Sequence, residues 1–188
     1  HIEYAAIALP TPIAGDKILM VNSPWDTFSI EETKLQLGLK NVVFLNDFHA
    51  LALAIPHLSE EHLIKVGGVA ADPYKPRGII GPGTGLGVAS LIRHPNGEYL
   101  AIPAEGGHSS FTPVNIEEVE LWEFVHKRFH HVSFERFVSG PGLQLIYEAV
   151  CDQKRFHISQ MPSPAEITER ALNQECWICQ TTLDHFCR

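Results

Sequence analysis

The sequence predicts an α/β protein in two parts: a parallel sheet alternating with helices, then an antiparallel hairpin unit followed by a run of helices. Three observations carry this expectation. Short apolar runs at Tyr4–Leu9 and Val42–Leu45 read as buried strands, with helical patterns between and after them. Asn46 and Asp47, good helix-capping residues, follow the second run directly. From residue 77 the pattern changes to three short strands separated by a glycine-rich turn and by His94-Pro-Asn-Gly97, which is a hairpin signal.

The elements follow in chain order. Tyr4–Leu9 reads as a fully buried strand, and Lys17–Val21 as a short strand after the Gly15-Asp16 turn. Ser29 opens a helix whose apolar positions Ile30, Leu35 and Leu37 stop at Gly38. The run 42–45 is too short for a helix, and the helix Phe48–Ile55, apolar nearly all round, ends at Pro56. Strand, helix, strand, helix with buried strands argues for parallel pairing. Gly78–Ile80, Val88–Ile92 and Tyr99–Ile102 are the hairpin strands. Asn115 caps a segment striped by Val119, Trp122, Val125 and Phe129; Ser133 opens a short turn ended by Gly140-Pro141; Leu143, Ile146, Tyr147 and Val150 stripe the next helix. Ser163-Pro164-Ala165-Glu166 combines an N-cap, a first-turn Pro and a capping-box Glu. Cys176, Cys179, Leu183 and Cys187 recur at helical spacing to the end. The change of pattern sets a boundary between residues 1–57 and 58–188, with Pro56–Pro76 as the linker.

Composition narrows the function classes. The 188 residues carry 14 Lys+Arg against 22 Asp+Glu, a net charge of −8, with 45% hydrophobic and 19% charged residues. Such a chain buries a core and is not disordered. It has no Lys/Arg stripe to neutralise phosphates, which argues against nucleic acid. Its longest uncharged stretches, 4–15 and 78–92, are too short and too rich in Gly and Pro to span a bilayer. Four scattered Cys and no signal peptide point to the cytoplasm. The chain starts at His1, and both ends read as cut.

Four clusters can carry chemistry. In Gly81-Pro-Gly-Thr-Gly-Leu-Gly87, closely approaching backbone N–H groups and the Thr84 hydroxyl could cradle phosphate oxygens. No Lys-Ser or Lys-Thr follows, so it is not a Walker A loop, and the strand after it does not fit a dinucleotide fingerprint. The plain alternative is a hairpin whose glycines only supply positive φ. Asp47 stands at the carboxyl end of a parallel strand, where α/β sheets bind ligands; it could take a proton from a substrate hydroxyl while Asn46 bonds a neighbouring one, or simply cap a helix. Glu105-Gly-Gly-His108 places a carboxylate and an imidazole on an open turn that vicinal hydroxyls could approach; solvated loop residues are the alternative. Glu135, in the first turn after Ser133, could serve only the helix dipole. Cys176, Cys179, His185 and Cys187 could be written as zinc ligands, but one helical face explains them better, so no metal site is assigned.

The order Leu45-Asn-Asp-Phe48, Gly81–Gly87, Glu105-Gly-Gly-His108, Val132-Ser-Phe-Glu-Arg136 with Ser139-Gly-Pro-Gly142, and Ile167-Thr-Glu-Arg-Ala-Leu172 resembles the bacterial ATP-dependent glucokinase family along essentially the whole chain. The resemblance implies an actin-like (ribonuclease H-like) two-lobed kinase fold. In it, 1–57 would be the later part of the small lobe and 58–188 the opening part of the large lobe. It implies Asp47 as general base on the glucose 6-hydroxyl. Asn46, Glu105, His108, Glu135 and, from the loop ahead of Trp25, Asn22 would hold the sugar. Gly83, Thr84, Gly85 and Gly87 would face the phosphates of ATP, with Mg²⁺. The family's opening Asp-x-Gly-Gly-Thr loop and its late adenosine-binding glycine segment do not occur in the sequence. The expectation is therefore a central, incomplete piece, inactive alone, whose unpaired strand edges favour self-association as a homodimer or otherwise. A non-catalytic hexose-binding or regulatory relative is the alternative function.

Overall fold

In chain order, the elements are β1 (Tyr4–Leu9), β2 (Lys17–Ile18), β3 (Phe28–Ser29), α1 (Ile30–Gln36), β4 (Asn41–Asn46), α2 (Asp47–Ala54), β5 (Arg77–Pro82), β6 (Leu86–Arg93), β7 (Tyr99–Ala104), α3 (Ile116–His126), α4 (Gly140–Gln153), α5 (Pro164–Leu172) and α6 (Trp177–Cys187). The chain is seen in a computed structural model that describes residues 1–20, 23–70 and 72–188. The described residues form two compact units, His1–Ile79 with Ala89–Ala104, and Ile80–Val88 with Glu105–Arg188.

In the first unit, β1 and β4 pair in parallel, with Tyr4 opposite Asn41 and Leu9 opposite Asn46. β2 and β3 form a short antiparallel pair. Leu9, Ile18, Val42 and Phe44 make the core here, with Phe28, Ile30 and Leu39 packed against it. β1 departs from the expectation of full burial: its residues alternate, and Tyr4 is 66% exposed. The reason is that only one face of the sheet is covered, so Val43 is also exposed while its neighbours are buried. The strand expected over 17–21 extends only over Lys17–Ile18, and Val21 lies outside the described residues.

A second core of the same unit joins Ala52 of α2 to Ile79, Ala89, Leu91 and Ala101, with Phe48 and Tyr99 beside them. Ala52 of α2 is thus buried against strands beyond residue 77, within the first unit. The sheet order is β5-β6-β7. A Gly83 N–H to Gly85 O bond of 2.8 Å closes one turn and His94 N–H to Glu98 O, 2.8 Å, the other. Links this short join only antiparallel strands, as the sequence predicts.

The second unit is built on helices. Leu143, Ile146, Tyr147 and Val150 of α4 are buried with Val125, Phe137, Ile167, Ala171, Ile178 and Cys179. The expected caps are in place: Ser29, Asn46, Asn115 and Ser163 each accept from a backbone N–H of the following helix. Ser139 is a further cap: Gly140-Pro141, expected to end the preceding turn, are the first residues of α4. Ser163 and Glu166 form the reciprocal capping box. In the last helix Cys179 is buried with Ile178 and Thr182, and the N-cap Cys176 and Leu183 pack against the same core, whereas Cys187, expected on that face, is exposed at the helix end.

Candidate functional site

Three of the four clusters meet within the second unit, around the start of β6. The glycine turn between β5 and β6 is tied to α4: the Gly140 N–H donates to Gly83 O at 2.8 Å. Ser139, the cap of α4, accepts from Gly142 N–H at 3.0 Å and donates its hydroxyl to Glu135 O at 2.8 Å. The short 3₁₀ turn Phe134–Arg136 is thereby held against the helix start. From it the Glu135 carboxylate reaches back, and its Oε2 accepts from Leu86 N–H at 2.9 Å.

Glycine at position 85 makes that reach possible. A Cβ there would stand 2.4 Å from Glu135 Oε2. Neither Gly83 nor Gly85 has a positive φ, so the plain hairpin explanation does not apply to them. What the turn needs at Gly85 is room for a carboxylate.

Glu105 directly follows β7, and Gly106–His108 forms a 3₁₀ turn closed by His108 N–H donating to Glu105 O at 3.0 Å. Gly107 is buried, and a Cβ on it would lie 2.3 Å from Leu86 O, so this turn rests directly on the first residue of β6. Ser109 O accepts from Phe134 N–H at 3.0 Å, and Ser110 bridges to Ser133, joining the Glu105 turn to the Glu135 turn. The side chains of Glu105 and His108 are both exposed, with Oε2 and Nε2 3.6 Å apart. A pair so open holds itself weakly and leaves both groups available to a ligand.

Asn46 and Asp47 belong to the first unit. Asn46 Oδ1 accepts from Phe48 N–H at 3.0 Å and from His49 N–H at 3.2 Å, fixing the amide at the start of α2. Asp47 is exposed, and its Oδ1 accepts from Phe48 N–H at 2.8 Å. Asn22 lies outside the described residues. Thr84 and Gly83 are exposed at the tip of the glycine turn, and a Cβ on Gly83 would meet nothing within 4 Å. The tie between Glu135 and Leu86, and the Ser139–Gly140 contacts that support it, are absent from the sequence reading. The bonded residues lie 49 positions apart, and no local pattern signals the contact. No group of three or more His, Cys, Asp or Glu that could hold a metal occurs among the described residues.

The family model described as glucokinase matches residues 1–188. The chain belongs to the glucokinase family. It is 45% identical over 186 residues to a glucokinase of Campylobacter jejuni subsp. doylei, covering 99% of this chain and 55% of that protein. A glucokinase of Neisseria gonorrhoeae is 45% identical over 186 residues, with 99% of this chain and 56% of that protein covered. The chain thus spans about half the length of these glucokinase relatives. Among solved structures, a glucokinase from an Antarctic psychrotroph superposes with a TM-score of 0.81 at 31% identity, covering 97% of this chain and 56% of that one. A glucokinase of Balamuthia mandrillaris, solved in complex with glucose, shares the fold with a TM-score of 0.79 at 22% identity, over 95% of this chain and 55% of that one. The α/β actin-like kinase fold expected from the sequence is borne out over the part of the glucokinase fold that this chain covers. No helix among the described residues is long and apolar enough to cross a membrane.

Proposed function

We propose that the protein carrying this chain is a cytoplasmic kinase that transfers the γ-phosphoryl group of ATP to the 6-hydroxyl of glucose. The observation that supports this most is the assembly of the glycine turn, the Glu105–His108 turn and Glu135 around Leu86, in a chain of the glucokinase family. Asp47 acts as general base and collects the proton leaving the 6-hydroxyl. The Asn46 carbonyl oxygen is committed to the helix cap, so its amide nitrogen is the group that donates to a sugar oxygen. Glu105 and His108 hold further hydroxyls. Glu135 keeps Oε2 on the main chain of β6 and offers Oε1 to the sugar. Asn22 completes the sugar side.

Gly83, Thr84, Gly85 and Gly87 face the phosphates of ATP. The exposed Thr84 hydroxyl and the open space beside Gly83 suit an anion of that size. Mg²⁺ comes with the nucleotide, since the described residues supply no ligand cluster and this ion binds through phosphates and few carboxylates. When bound, it neutralises phosphate charge. The remaining work is alignment, because phosphoryl transfer passes through a loose transition state with little covalent chemistry for the protein to do. Self-association belongs to the same proposal.

The test is a coupled glucose 6-phosphate assay, with calorimetric titration of glucose, on the full gene product and its Asp47→Ala variant. Glucose binding with loss of turnover in the variant is expected. Near-normal turnover of the variant would remove Asp47 as base, and hexose binding without turnover in the unaltered protein would establish a non-catalytic binder.

A further inference from the structure

Away from the proposed site, two cysteines stand at the start of α6, one as its cap and one in its first turn. Cys176 caps the helix in an extended conformation, φ −145° and ψ 111°, and its Sγ accepts from Cys179 N–H at 3.5 Å. The sulfur is thus folded back over the first turn, on the residue that carries the second thiol. The two thiols stand within hydrogen-bonding reach of each other. Joining them therefore brings together sulfurs that are already neighbours.

The two thiols differ in access and in acidity. Cys179 is 0% exposed within the helical core, whereas Cys176 is only half-buried at its edge. Burial opposes a thiolate at Cys176, but the Cys179 N–H, the Cys179 thiol, the Ile178 N–H and the Arg170 guanidinium outweigh it and lower its pKa. Burial, helped by the neighbouring Cys176 sulfur, pushes Cys179 up to about 12. The half-buried thiol thus ionises more readily than its buried partner. Cys151, the third thiol of this core, is buried beside Tyr147, and Cys187 is exposed at the far end of α6.

We propose that Cys176 and Cys179 form an oxidisable dithiol that peroxides convert to a disulfide across the start of α6. The Cys176 thiolate attacks a hydroperoxide oxygen: an S–O bond forms, the O–O bond breaks, and the departing oxygen takes a proton as water or alcohol. Cys179 then loses its proton as it attacks the sulfenic sulfur. The S–S bond forms, the S–O bond breaks, and water leaves. Two electrons pass from the two sulfurs to one peroxide.

The experiment treats the full gene product with hydrogen peroxide, alkylates the remaining thiols with iodoacetamide and maps them by peptide mass. The peptide holding Cys176 and Cys179 should lose two hydrogens, its alkylation should fall by about tenfold, and dithiothreitol should restore it. Cys176→Ser, which keeps a good cap and therefore the fold, should leave Cys179 reduced. Cys179→Ser should yield a Cys176 sulfenic acid that dimedone traps. Unchanged alkylation of Cys176 after peroxide, a Cys151–Cys179 bond, or sulfinic acid at Cys176 in the unaltered protein would each overturn the proposal.

Discussion

Asp47 and Glu135 are both carboxylates held by a backbone N–H, yet their proposed duties differ. Asp47 is exposed at the first turn of α2, where its carboxylate accepts from the N–H of its neighbour Phe48. Its replacement by Ala is expected to lower turnover by about 10²–10⁴-fold, the usual worth of a general base, while glucose affinity moves much less. Glu135 spends one oxygen on Leu86 N–H. Glu135→Ala strands that donor beside the buried Leu86 side chain and should cost about 1 kcal/mol of stability, seen as a lower denaturation midpoint. Glu135→Gln keeps an acceptor for Leu86. It should recover most of the stability but not the sugar affinity, and equal recovery of both would limit Glu135 to a structural part.

At the level of elements, most boundaries were readable because capping chemistry is local. Ser163, Pro164 and Glu166 announce α5 within four positions, and the reciprocal bonds are there: Glu166 N–H to Ser163 Oγ at 3.2 Å and Ser163 N–H to Glu166 Oε2 at 2.7 Å. Ser163→Ala should destabilise the fold by about 1 kcal/mol in a denaturant titration. The Ser163 N–H, then its hydroxyl, hold the Glu166 carboxyl below the ordinary value. A carboxyl depressed in this way stabilises the fold above its unfolded pKa. The gain disappears as pH falls through the folded value, so this contribution to the stability of the parent should be lost in acid. What could not be read locally was decided by distant partners. An apolar run such as Tyr4–Leu9 looks the same whether one face or both are covered, and only the pairing with β4 shows that one face is open. The clusters 81–87, 105–108 and 132–142 were each visible as loops with chemistry. That they share Leu86 as a common support was not, because the bond joining two of them spans 49 positions.

Over the whole chain, burial is uneven. The second unit has a single large core across α3 to α6, whereas the first divides its apolar side chains between two smaller clusters. Amide exchange of the 188-residue chain should therefore be slowest in α4 and faster in β1 and β4, and uniform protection would contradict this. Gly107→Ala should damage more than its size suggests, since the added carbon would meet the Leu86 carbonyl at 2.3 Å, and backbone cannot swing aside as a side chain can. Weaker glucose binding with a lowered melting temperature is the expected readout. The same gap has a genetic side: every missense change one nucleotide away from a glycine codon adds atoms. Codon 107 thus has no gentle neighbours, and a saturation library of the gene should return it nearly empty.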